Sequence, residues 1–168
     1  RSNTRADVAR LTRQDLPHYP DAAALAAAMK LTVGQLRFLA YSRRVSSVSH
    51  YKRFAIPKKT GGVRHISAPM PRLKAAQRWV LDHILSRVAV HDAAHGFRSG
   101  HSIVTNAAPH VGTDVVINAD LKDFFPSISY RRVLGMFRAL GYSHAVATIF
   151  ALLCLSLIHI SEPTRRPI

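Results

Sequence analysis

Apolar residues recur along this chain at spacings that switch from helical to alternating and back. Asp21 to Lys30 is alanine-rich, which favours a helix, with Asp21 as its N-cap. Leu31, Leu36, Leu39 and Ala40 follow with Thr32 as a second candidate cap, predicting another short helix over Leu31 to Tyr41. Ser42 to Ser49 is rich in serine and arginine and reads as a connector. The period then drops to two. Tyr51 to Pro57 and Val63 to Ala68 alternate, and Lys58-Lys59-Thr60-Gly61-Gly62 lies between them, so the pair predicts a β-hairpin with a basic tip. Pro69 and Pro71 end it. Leu73, Ala76, Val80, Ile84 and Val88 restore helical spacing, predicting an amphipathic helix over Arg72 to Val90 with Pro71 in its first turn. His95 to Gly100 reads as a loop and Ser102 to Val111 as a short helix. Val115, Val116 and Ile117 stand in a row, which predicts a buried strand over Asp114 to Asp120. Two more helices are expected, Tyr130 to Leu140 capped by Gly141, and Ser143 to Leu153. The order of helices, hairpin, helix, strand and helices points to an α+β fold, not a sandwich or a bundle.

Composition narrows the partners. The chain has 168 residues with 24 Lys+Arg against 9 Asp+Glu, a formal net charge of +15. Such an excess favours a polyanion, most economically nucleic acid. Hydrophobic residues make up 48% of the chain, enough for a core and too many for a disordered basic tail. The single cysteine, Cys154, excludes an internal disulfide framework and a cysteine-based zinc site. No apolar run reaches membrane-spanning length and no secretory signal is visible, so an intracellular, cytoplasmic protein without a membrane partner is expected.

Three stretches carry candidate chemistry. Asp120 ends the predicted strand. An ionised carboxylate there needs positive compensation, which a hard cation such as Mg²⁺ supplies, although a strand-end aspartate more simply caps a turn. Lys58 and Arg64 flank the hairpin tip, where two cations can grip a triphosphate, Arg as a fork and Lys as a point charge. In His95-Gly96-Phe97-Arg98-Ser99-Gly100, Phe97 can stack on a base or plug the core, and Arg98 can contact phosphate or base. His91, His95, His101 and His110 lack ligand spacing and read as scattered histidines.

Taken together, these blocks resemble bacterial reverse transcriptases. Tyr51-Lys52-Arg53-Phe54-Ala55-Ile56-Pro57-Lys58-Lys59 with Gly61-Gly62-Val63-Arg64-His65-Ile66, continued by Leu73-Lys74 and Gln77, is similar to their fingers hairpin. Ala94-His95-Gly96-Phe97-Arg98 with Ser102, Asn106-Ala107 and His110 resembles their next block. Asn118-Ala119-Asp120-Leu121-Lys122-Asp123-Phe124-Phe125-Pro126-Ser127-Ile128 resembles the first catalytic block of the palm. The combination, with Leu36-Arg37-Phe38-Leu39-Ala40, is most similar to the retron type, with group II intron-type relatives close behind. The resemblance implies a right-hand polymerase fold of which this chain carries the fingers and the first part of the palm. It implies Asp120 as the catalytic Mg²⁺ ligand with the Leu121 carbonyl beside it, and Phe125 as a gate that rejects a ribose 2′-OH. It further implies Lys58 and Arg64 on the incoming dNTP, and Phe97 and Arg98 on the template. The implied partners are an RNA template, a DNA primer or product, dNTPs and a cognate structured non-coding RNA. Asp123 is not a family ligand and reads as structural.

The expected organisation is a helical segment over 1–50, fingers over 51–113, the start of the palm over 114–154, and a tail over 155–168. Leu155 to Arg165 reads LSLIHISEPTR, which resembles the conceptual translation of a sequencing adaptor; with Arg1 in place of Met, a truncated natural chain is expected. The family's second catalytic block, Tyr/Phe-x-Asp-Asp, has no match here, so weak metal binding and no polymerisation by this piece alone are expected. The rival reading is a non-catalytic RNA-binding module. A metal nuclease would need a denser carboxylate cluster.

Overall fold

A computed structural model of the chain describes residues 5–41, 50–59, 61–125 and 127–155. The Ser42 to Ser49 connector and the adaptor-like stretch beyond Leu155 lie outside the described residues. Among these described residues seven α-helices and one hairpin follow in the order α1 (Val8–Arg13), α2 (Ala22–Ala28), α3 (Val33–Ala40), β1 (Tyr51–Pro57), β2 (Val63–Pro69), α4 (Pro71–His83), α5 (Ile103–Ala107), α6 (Tyr130–Leu140) and α7 (His144–Cys154). Helix and strand are thus mixed, as the α+β reading expects. Among the described residues no single helix is long and apolar enough to cross a membrane.

Local chemistry sets the helix ends. The Asp21 carboxylate accepts from the Ala24 N–H at 2.8 Å. Thr32 and Gln35 form a reciprocal capping box at α3. Gly141 closes α6 with φ 118°, a left-handed conformation that a side chain would strain. Helix α4 stops at His83, well before Val90. Ile84, with φ widened to −118°, caps the helix and a 3₁₀ turn, Leu85–Arg87, takes over. There the Ser86 hydroxyl donates to the Asp82 carbonyl at 2.7 Å, a local bond that competes with continued α-helix.

The core is built around α7, whose Val146, Ala147, Ile149, Phe150, Ala151 and Leu153 are all buried. Phe137 of α6 and Tyr142 each place a ring 5.0 Å from that of Phe150. Leu11, Leu25, Leu36 and Val80 bring α1 to α4 onto the same cluster. The hairpin pairs Tyr51 with Pro69 through Pro57 with Val63, antiparallel, and mostly faces solvent. Its turn uses positive φ at Gly61 and Gly62, 87° and 81°, which explains the glycine pair.

One predicted element does not form. Asp114 to Asp120 carries no strand, and Val115, Val116 and Ile117 are 75, 61 and 87% exposed. The only sheet among the described residues is β1–β2, so this run has no neighbour to complete a ladder or cover its faces. An apolar run cannot be a buried strand without partner strands.

Candidate nucleic-acid and nucleotide site

Two blocks far apart in sequence meet through exposed aromatic rings. Phe97 is 98% exposed and Phe125 62% exposed, and their rings lie 6.4 Å apart, edge to face. Phe124 adds a third ring, 5.3 Å from Phe125. Exposed rings in contact are costly in water and suited to stacking on bases. Phe97 also holds φ 60°, the left-handed region that a bulky residue seldom adopts.

The loop around Phe97 is fixed from both sides. On one, an Arg98 η nitrogen donates to the carbonyls of His91 at 3.1 Å and Ala94 at 2.9 Å. On the other, His95 Nδ1 lies 3.1 Å from Thr105 Oγ1, and Thr105 shares a capping box with Ser102 at the start of α5. The block after Asp120 folds into tight turns. Asp123 takes φ 51°, and the Ser127 N–H donates to the Asp123 carbonyl at 2.9 Å.

The hairpin forms its own groove of about 420 Å³, lined by Ile56, Pro57, Lys58, Lys59, Arg64 and Ile66. Lys58 and Arg64 therefore face one space. Lys59, which sequence reasoning passed over although it adjoins Lys58, adds a third cation. Phe125 borders a different groove with Tyr51, Gln77, Ile128 and Cys154. At that groove Gln77 Nε2 donates to the Leu153 carbonyl at 2.8 Å, and the Tyr51 hydroxyl donates to the Leu155 carbonyl at 3.2 Å. These bonds tie α4 and the base of the hairpin to the end of α7. Burial raises the Tyr51 phenol above its usual value, opposed by the Gln77 bond, and pushes the Cys154 thiol up to about 12.

Asp120 lines neither groove. Its segment has no sheet to fix its direction. Its side chain is exposed rather than at the end of a buried strand. Among the described residues Asp120 has no ion-pair or hydrogen-bond partner, and no N–H donates to the Leu121 carbonyl. Both are hard oxygen donors left uncommitted, the donor type Mg²⁺ takes, and Mg²⁺ retains waters and substrate phosphates in its remaining positions. The two fit one edge of such a site. No group of three His, Cys, Asp or Glu that could hold a metal occurs among the described residues.

Comparison with known proteins settles the family. The profile described as "Reverse transcriptase (RNA-dependent DNA polymerase)" matches residues 56–167, which take in the hairpin tip and its return strand, the Phe97 loop and the Asp120 block. The chain belongs to the reverse transcriptase family. Among curated reverse transcriptases, it is 49% identical over 138 residues to the Retron Mx162 reverse transcriptase of Myxococcus xanthus, covering 82% of this chain and 28% of that protein. It is 46% identical over 162 residues to the Retron Mx65 reverse transcriptase of the same organism, covering 96% and 36%. To the Retron Ec86 reverse transcriptase of Escherichia coli it is 33% identical over 147 residues, covering 86% and 45%. The chain thus spans between about a quarter and a half of the length of these reverse transcriptases.

Proposed function

We propose that this chain supplies the fingers and the first part of the palm of a retron-type, right-hand RNA-directed DNA polymerase. Residues 1–50 form its N-terminal helical segment, 51–113 the fingers and 114–154 the start of the palm. The observation that carries the reading is the exposed contact between Phe97 and Phe125. It joins the two family blocks that would hold template and incoming nucleotide, with the uncommitted Asp120 five residues from Phe125.

In this reading the 3′-oxygen of the primer attacks the α-phosphorus of a dNTP. The new P–O bond forms as the bond to the β-phosphate bridging oxygen breaks, pyrophosphate leaves, and the hydroxyl proton passes to solvent. The protein's task is positioning and charge neutralisation. Lys58 and Arg64 hold the triphosphate in the hairpin groove. The Phe125 ring occupies the space a ribose 2′-OH would need. Phe97 stacks on a template base. Mg²⁺ held by the Asp120 carboxylate and the Leu121 carbonyl would neutralise phosphate charge, which requires this segment, outside the hairpin groove here, to meet the bound triphosphate. An RNA template, a DNA primer and a cognate structured non-coding RNA are the partners.

The test is RNA-templated primer extension by the full-length protein that carries this chain, with dNTPs and with rNTPs. The wild type should extend with dNTPs and discriminate against rNTPs. Phe125→Ala should lose at least about tenfold of that discrimination, the rate equivalent of about 1.4 kcal/mol. A wild-type protein that makes no DNA on RNA would overturn the reading.

A further inference from the structure

Arg98 occupies a position where a template contact is the obvious role, yet its bonds point inward. It is half-buried, whereas its neighbour Phe97 is almost fully exposed. One η nitrogen donates to two carbonyls of its own loop, His91 at 3.1 Å and Ala94 at 2.9 Å. The same turn is drawn together by the Ala94 N–H donating to the His91 carbonyl at 2.9 Å and the Ala93 N–H donating to His91 Nδ1 at 3.1 Å. A guanidinium committed in this way has its plane fixed by backbone, and swinging out to a phosphate would give up both of these bonds. Phe97, meanwhile, sits in a strained backbone region with its ring in solvent, a conformation that persists only when its surroundings impose it.

We infer that Arg98 is a positioning residue. It clamps the turn from His91 to Arg98 so that Phe97 is held out beside Phe125, and it does not itself contact nucleic-acid phosphate. The inference rests on the reading that this aromatic surface binds nucleic acid, and the experiment separates the two. Affinity for a fluorescein-labelled single-stranded RNA is measured over a KCl series for the wild-type chain, Phe97→Ala, Arg98→Ala, Arg98→Lys and the Phe97→Ala/Arg98→Ala pair. Amide hydrogen exchange at Ala93 and Ala94 is followed in parallel.

Arg98→Ala should weaken binding at least about fivefold, the fold-change of losing one stacked base. The slope of log affinity against log salt should stay unchanged. The double variant should bind no more weakly than Phe97→Ala, because Arg98 acts through that ring. Arg98→Lys should not rescue, since an ammonium keeps the charge without the planar fork. Exchange at Ala93 and Ala94 should accelerate in Arg98→Ala. A slope shallower by about 0.7, with affinity restored by lysine and losses that add to those of Phe97→Ala, would make Arg98 a phosphate contact and overturn the inference. A wild-type chain without salt-dependent RNA affinity would remove the binding reading alone. The exchange experiment still decides the clamp, and unchanged exchange at both amides would overturn it.

Discussion

Phe97 concentrates the tension between stability and function in a single side chain. Its ring gains nothing from burial, and its backbone sits at φ 60°. Phe97→Gly should therefore stabilise the fold by roughly 1 kcal/mol, the strain of a left-handed non-glycine residue, while RNA affinity falls. Thermal melts beside the binding assay check this, and a lower Tm would contradict it. Cys154 shows the opposite case, a group whose neutral form the fold prefers. Its thiol is raised from an ordinary 9.0 to about 12 by burial. The stabilisation from keeping the proton is complete below the unfolded value and is lost as pH rises from about 9 towards about 12. At pH 9 iodoacetamide should alkylate urea-unfolded chain at least about tenfold faster than native chain, because the thiolate is the nucleophile. Equal rates would show that the thiol is not held neutral.

At the scale of elements, the helix joints are specific enough to predict. An added Cβ at Gly141 would sit 2.8 Å from the Asp7 carbonyl oxygen and 3.0 Å from Leu11 Cγ, on a backbone at φ 118°. Gly141→Ala should cost about 2 kcal/mol or more by prying α1 from the end of α6, seen as a lower urea midpoint. An unchanged midpoint would contradict the packing described. Gly141 as a cap was legible in the sequence, as were Asp21, Thr32, the hairpin and Pro71 in the first turn of α4. Each rests on chemistry within a few residues. The end of α4 was not legible, because the apolar spacing runs on through Ile84 and Val88 while local bonds at Asp82 and Ser86 break the helix. The buried strand over Asp114 to Asp120 failed for a different reason. Val115 to Ile117 have strand chemistry, but a strand is a property of its neighbours, and the described residues supply none.

At the scale of the whole molecule, charge and family agree. A chain of net charge +15 that belongs to the reverse transcriptase family carries its most exposed aromatic rings, Phe97 and Phe125, on the two blocks proposed to hold template and nucleotide. The residue types of the candidate site were legible one block at a time. Their relative placement was only partly so. Lys58 and Arg64 share a groove because hairpin register fixes both, and Phe97 meets Phe125 across a loop contact no periodicity encodes. Asp120 stands apart from both grooves. The most direct test of the account is to replace Asp120 by Ala in the full-length protein and measure RNA-templated DNA synthesis and RNA affinity side by side. Synthesis should fall by at least about 10³-fold, on the order of 4 kcal/mol of transition-state stabilisation, with RNA affinity within about twofold of wild type. Synthesis that survives the substitution would contradict the account, and a protein that binds RNA with no synthesis in either form would be the non-catalytic RNA-binding module instead.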